Sequence, residues 1–201
     1  MLELILIFLT RLLTGAIPRS HGFQFEPVAQ RIYYANHSSH LDTLLIWSLI
    51  PRPQRARVRP AAAKDYWWSS SWRRYLAENV FHAVPVLRHR EHSDDNPLAD
   101  LEAVLANGDS LIFFPEGTRG NGDAVQPFKS GLYYLVKACP NVSLVPVYIR
   151  NLNRVLPKGA LLPVPLLCNV EFGAEFKMAE NELKADFMAR AQTKLEALIP
   201  E

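Results

Sequence analysis

Cysteine is nearly absent. Cys139 and Cys168 are the only two in 201 residues; they lie far apart and form no CxxC pair, so no disulfide framework is encoded and a reducing compartment suits the chain. An excess of charge of one sign is missing too. With 22 Lys+Arg against 20 Asp+Glu the net charge is +2, which gives no broad electrostatic footprint for nucleic acid. There is no internal repeat, no linker long enough to split the chain, and no G-x-S-x-G nucleophile elbow. What remains is a chain 49% hydrophobic and 10% aromatic, long enough to bury a real core as one domain.

A long uninterrupted apolar run is also lacking. The N-terminal stretch "MLELILIFLTRLLTGAI" is broken by Glu3 and Arg11. It has neither the leading positive charge nor the small-residue cleavage site of a secretory signal. As a helix, residues 1–17 would span about 25 Å, short of a hydrocarbon core of about 30 Å. At about 100° per residue, Glu3, Thr10, Arg11 and Thr14 fall on one narrow face, and Leu, Ile and Phe occupy the rest. The pattern predicts an amphipathic helix lying in a membrane interface. A helix packed on the protein's own core and a short spanning segment are the alternatives.

Periodicity along the rest of the chain alternates between strand and helix. "RIYYA" (31–35), "AVPVL" (83–87), "SLIFF" (110–114), "VSLVPVYI" (142–149) and "LLCNVEFG" (166–173) read as strands. Helices are expected at 38–50, stopped by "PRP", and around Leu98–Leu105, with Pro97 in the first turn and Gly108 as the cap. Two more are expected at "KSGLYYLVKA" and along Leu183, Phe187, Ala191, Leu195 and Leu198. This order predicts an α/β fold with a mixed, largely parallel central sheet flanked by helices.

"NHSSHLD" (36–42) carries the densest chemistry. A metal site is disfavoured, because His40 and Asp42 are two apart on the expected helix and point to nearly opposite sides. Two readings stay open. Ser39-x-x-Asp42 has the form of a capping box, in which Asp42 only satisfies the helix start. Alternatively His37 ends the strand and curls back over the first turn to meet Asp42. A carboxylate on one ring nitrogen would then fix the tautomer and leave the other to accept a proton from an alcohol.

"LIFFPEGTRGNG" (111–122) puts Glu116, Thr118 and Arg119 on a tight loop after a strand, at the sheet edge where open α/β folds bind ligands. Arginine offers a planar fork to phosphate, Thr118 a hydroxyl, Gly117 a close backbone approach, and Glu116 a carboxylate to orient Arg119 or bond a ligand hydroxyl. A surface turn with an incidental salt bridge is the alternative. The "GDSL" at 108–111 spells an esterase motif, but no histidine follows His92, and Ser110 begins a strand after a helix, the reverse of what that chemistry needs.

The ordered pair H-x4-D and "FPEGTRG", about 75 residues apart, resembles the glycerolipid acyltransferase family. "AAAKDYWW" is similar to the family's lysine segment, here Lys64. "FKSG" (128–131) and "LVPVYI" (144–149, with Pro146) match further blocks, so the resemblance spans roughly residues 30–150. One block departs. In "HAVPVLRHR" (82–90), His82 stands where the family has glycine and Leu87 where it has aspartate. Arg88 remains as the phosphate-binding arginine, with Arg90 its rival.

The resemblance implies an O-acyltransferase acting on a lysophospholipid, with 1-acylglycerol 3-phosphate the expected acceptor and an acyl-CoA or acyl carrier protein thioester the donor. His37, oriented by Asp42, would be the base, and helix-start N–H groups or a nearby cation would stabilise the oxyanion. Lys64, Arg88, Glu116, Gly117, Thr118 and Arg119 would bind substrate; no metal or organic cofactor is required. It divides the chain into a membrane-associating helix at 1–20 and an acyltransferase domain at 21–201. It also implies membrane lipids as partners, no nucleic acid, and a place on the cytoplasmic face of a bacterial inner membrane. In the basic–aromatic stretch 52–75, arginines at anionic headgroups with interfacial tryptophans, or a solvated loop with tryptophans in the core, are both open. A non-catalytic lipid-binding relative and a thioesterase using the same His/Asp pair on water are the competing functions.

Overall fold

The computed structural model describes residues 2–25, 29–87, 96–122, 124–155, 164 and 166–200. The elements follow as α1 (Leu2–Thr14), β1 (Ile17–His21), β2 (Arg31–Ala35), α2 (Asp42–Leu49), α3 (Arg52–Arg55), β3 (Val58–Ala63), α4 (Lys64–Trp67) and α5 (Ser71–Asn79). They continue with β4 (Val84–Val86), α6 (Ala99–Ala106), β5 (Ser110–Phe113), α7 (Gly131–Ala138), β6 (Ser143–Arg150), α8 (Leu152–Val155), β7 (Asn169–Gly173) and α9 (Lys184–Glu196).

The strands form one sheet in the order β1-β7-β6-β2-β5-β3-β4. β2, β3, β4, β5 and β6 run parallel, β7 is antiparallel to β6, and β1 is parallel to β7. The sheet is therefore mixed and largely parallel, as the alternating pattern predicts. β2 lies at its centre and is buried along its whole length, which is why "RIYYA" reads as a continuous run and not as an alternation.

Period-2 geometry divides these strands between two cores. Tyr33, Ala35, Ile112, Val145 and Val147 face one side, where Leu45, Ile46 and Leu49 of α2 and Ile7 of α1 cover them. Ile32, Tyr34, Leu111, Phe113 and Leu144 face the other, against α6, α7 and α9. Because the central strands are parallel, Ala35, Ala63 and Phe113 all end at the same edge of the sheet. The loops that follow them meet there.

Two strands escape sequence reading. β1, "IPRSH", is exposed throughout and has no apolar pattern; it is a strand only because β7 offers it an edge. β3, "VRPAAA", alternates buried and half-buried positions, but its arginine and proline mask that alternation in sequence. The segment 52–75 also divides. Arg55 is buried and bonds the Ile50 carbonyl and Glu3, while Arg57 and Arg59 pair with Asp109 and Arg74 with Glu78. Trp67 packs against the core beside Phe81, whereas Trp72 is exposed.

The amphipathic helix α1 is mounted with its polar side inward. Thr10 and Thr14 are buried, their hydroxyls bonding the carbonyls of Leu6 and Thr10. Glu3 pairs with Arg55 at 3.2 Å, and Arg11 donates to the Ser48 carbonyl at the end of α2. Leu4, Phe8 and Leu12 point away, Phe8 and Leu12 each 65% exposed. Among the described residues no helix is long and apolar enough to cross a membrane.

Candidate active site

The β2–α2 loop begins with a tether. The Asn36 side chain donates to the Ile149 carbonyl and accepts from the Ile149 N–H, at 2.9 and 2.8 Å. It continues the β2–β6 ladder by one residue and fixes where the strand ends. His37 follows outside any helix and folds back, so that its Nδ1 lies 2.7 Å from Asp42 Oδ2. α2 starts only at Asp42. The four residues before it form a loop whose Ser38 and Ser39 N–H groups donate to the same carboxylate oxygen, at 2.7 and 2.8 Å.

The geometry that each reading of Asp42 requires is therefore present at one oxygen. The carboxylate organises the start of the helix and holds the imidazole. Asp42 is fully buried, and His37 keeps 18% of its side chain exposed. With Nδ1–H donated to Asp42, the unprotonated nitrogen is Nε2, which makes no hydrogen bond among the described residues. The Ser38 and Ser39 N–H groups are occupied by Asp42 and are not available to an oxyanion; the Leu41 N–H is likewise turned to Ser39 Oγ.

The loop after β5 grips His37 by its backbone. Glu116 Oε1 accepts the His37 N–H at 2.9 Å, and the Gly120 N–H donates to the His37 carbonyl at 2.8 Å. Glu116 is buried, and it also accepts the backbone N–H of Gln126. Burial pushes its carboxyl above the ordinary value, against the pull of those two N–H groups. It thus faces His37 and not Arg119. Gly117 takes φ +70°, and a Cβ there would meet Lys129 Cδ at 2.9 Å and Nζ at 3.0 Å. The conformation favours glycine, while the lysine end could swing aside. The His37 ring stacks on Phe114, centroids 4.3 Å apart.

A small cavity of about 50 Å³ opens between His37, His40, Ala63, Tyr66, Phe114 and Arg119. His40 lies over Tyr66, ring centroids 4.5 Å apart, and its Nε2 accepts from Arg119 Nη1. Burial, with the neighbouring charges of Arg119, His37 and Arg73, lowers the His40 pKa to about 4. His40 is therefore a neutral acceptor near pH 7.

Lys64 opens α4 directly after β3 and is exposed at the same sheet edge, and Thr118 is exposed on the Gly117 turn. Arg88 and its rival Arg90 lie outside the described residues. His82, which replaces the family's glycine, adopts φ +47° just beyond α5, where the Ala83 N–H closes back on the Ala77 carbonyl. This is a left-handed position, for which glycine is better suited than histidine. Ser110 starts β5 with its hydroxyl accepting the Arg31 N–H, a structural position. His40, Tyr66 and Phe114 line the site without having been assigned from sequence. Only the aromatic richness of "KDYWW" and the second histidine of "NHSSHLD" hinted at them.

A histidine–aspartate pair and an arginine loop at the carboxyl edge of a largely parallel sheet define a class that comparison resolves. Residues 19–150 match the family model described as Acyltransferase, and the chain belongs to that family. Among its relatives is a 1-acyl-sn-glycerol-3-phosphate acyltransferase of Cocos nucifera, 28% identical over 158 residues, or 75% of this chain and 47% of that protein. The Taffazin of Dictyostelium discoideum is 27% identical over 163 residues, covering 75% of this chain and 54% of its own length. The chain thus spans about half the length of the curated relatives it matches. In fold it resembles the crystal structure of the 1-acyl-sn-glycerophosphate (LPA) acyltransferase PlsC from Thermotoga maritima. The TM-score is 0.75 at 16% identity, over 98% of this chain and 78% of that one.

Proposed function

We propose that this chain moves a fatty acyl group from an acyl thioester, of coenzyme A or acyl carrier protein, to the free hydroxyl of 1-acylglycerol 3-phosphate, giving phosphatidic acid. The observation that carries the reading is the 2.7 Å His37–Asp42 contact, with the backbone N–H and carbonyl of His37 both held by the Glu116–Gly120 turn. A base held this firmly is pre-positioned for proton transfer. His37 Nε2 takes the proton from the acceptor hydroxyl as its oxygen attacks the thioester carbonyl. Asp42 stabilises the imidazolium. The C–O bond forms, the C–S bond breaks, and His37 returns the proton to the departing thiolate. Arg119, Thr118 and Lys64 hold the glycerol phosphate with Arg88, while Gly117 keeps the turn open; Glu116 serves them by fixing the loop.

The same reading sets the work at a membrane surface, on the cytoplasmic face of a bacterial inner membrane. The outward apolar side of α1 supports the surface part of that reading, since a helix in water normally turns that side inward.

The test is purified protein with a panel of lysolipids and one labelled acyl thioester, read by lipid mass. Phosphatidic acid formed from lysophosphatidic acid, and lost in His37→Ala and Asp42→Ala variants that remain folded, is the expected result. Free fatty acid as the main product would make the protein a thioesterase. Lipid binding without turnover against either donor would make it a binding relative.

A further inference from the structure

Most arginines of the described chain are matched to carboxylates. Arg31, Arg55, Arg59, Arg74 and Arg190 each lie within 3.2 Å of a glutamate or aspartate oxygen. Arg73 and Arg119, like Arg11 on the Ser48 carbonyl, meet no carboxylate among the described residues and yet are held.

Arg119 is fixed by His40, its guanidinium carbon 5.8 Å from the centre of the Tyr66 ring. Arg73 lies 4.5 Å from the centre of that same ring and 5.2 Å from that of Trp72, and its Nη1 donates to Ser69 Oγ at 3.1 Å. Its Nε is buried without a hydrogen-bond partner. Two rings, a hydroxyl and an imidazole position these cations without neutralising them. Arg73 is also close enough to help depress the His40 pKa, so the local potential is positive. The two ring distances set an upper limit of about 10 Å on the separation of the guanidinium carbons, and arginine offers phosphate a bidentate fork.

We propose that Arg73 is a second phosphate-binding residue of the acceptor site, closing with Arg119 across the Tyr66 ring on the phosphate monoester of the lysolipid. The inference rests on the acyl-transfer reading for its substrate. It gives that site a cation from α5, a segment that the sequence assigned to no substrate contact. A monoester dianion matches two uncompensated guanidiniums; an acceptor lacking phosphate gains nothing from them. Arg73 therefore discriminates between acceptors that carry the phosphate and those that do not.

The test compares wild-type protein with Arg73→Gln and Arg73→Lys, at a fixed acyl-CoA, with lysophosphatidic acid and monoacylglycerol as acceptors. Arg73→Gln should raise KM for lysophosphatidic acid about tenfold, the loss of one charge-assisted phosphate contact. Its kcat, its KM for acyl-CoA, its use of monoacylglycerol and its melting temperature should stay near wild type, and Arg73→Lys should recover part of the KM. An unchanged acceptor KM, or a rise confined to acyl-CoA, overturns the assignment. Calorimetric titration of the same proteins with glycerol 3-phosphate and with micellar lysophosphatidic acid judges the residue independently of turnover. If wild-type protein transfers no acyl group, the acyl-transfer reading fails, while weaker phosphate binding by Arg73→Gln still supports the clamp. Equal binding by the two proteins, or no binding of either ligand by wild type, refutes it.

Discussion

Glu116 reaches across from the loop after β5 and accepts the backbone N–H of His37 at 2.9 Å. The two sequence motifs, 79 residues apart, are one mechanical unit, because Gly120 returns the grip at the His37 carbonyl. A buried carboxylate spent on backbone N–H groups is a brace. Glu116→Ala leaves those donors unpaired and should cost about 1–3 kcal/mol, with turnover falling as the base loosens. Glu116→Gln keeps one acceptor oxygen and should melt between Ala and wild type. Thermal melts run beside kcat check the order; equal melting of the Ala variant and wild type would remove the brace.

Asp42 Oδ2 serves three donors, Nδ1 of His37 and the N–H groups of Ser38 and Ser39. Asp42→Asn retains an oxygen for the backbone donors but loses the charge that supports an imidazolium. A fall in kcat of about 10²–10⁴ is expected, with the acceptor KM little altered. Asp42→Ala should add a stability loss of about 2–4 kcal/mol from the emptied loop. Full activity in the Asn variant would mean that Asp42 only organises the helix start.

That double use explains why spacing alone left Asp42 undecided in sequence: the capping and proton-transfer readings invoke the same carboxylate, which contacts both the loop N–H groups and the imidazole. β2 was legible to the residue, since Ile32, Tyr33, Tyr34 and Ala35 fill consecutive buried positions at the sheet centre behind a buried Arg31 that pairs with Glu175. β1 was not, since its pairing with β7 lies about 150 residues away and its own side chains are exposed. His40 was illegible for a related reason. Its role depends on Tyr66 and on Arg119, brought together only by the parallel order of β2, β3 and β5.

His40 accepts from Arg119 only while neutral. His40→Gln, which offers a carbonyl oxygen, should hold the acceptor KM within about threefold of wild type. His40→Phe keeps the stack on Tyr66 but no acceptor, and should raise that KM about 5- to 10-fold with kcat retained. The pH response has a definite sign. The folded pKa, about 4, lies below the ordinary 6.5, so between those values the unfolded chain binds more protons than the folded one. Stability from this group is full above pH 6.5 and is lost as pH falls towards 4. Wild-type protein should therefore lose more melting temperature than His40→Gln between pH 7 and pH 4.5; equal losses would show that His40 does not titrate as described.

The outward face of α1 permits a cleaner membrane test than deletion, because removing residues 1–17 would also cut into β1, which begins at Ile17. Phe8 and Leu12 are each 65% exposed and contribute little to the protein's own core. Inserted into a bilayer interface, each would bury apolar area worth about 1.5–3 kcal/mol. Phe8→Asp with Leu12→Asp should therefore lower partitioning onto anionic vesicles more than 100-fold while leaving the melting temperature near wild type. Ile7 faces the core at 8% exposure, so Ile7→Ala should do the reverse, losing about 2–4 kcal/mol of stability and keeping its vesicle binding. Co-sedimentation with vesicles, measured beside thermal melts, separates the two signatures. Undiminished binding by the double aspartate variant would transfer the anchoring role away from α1.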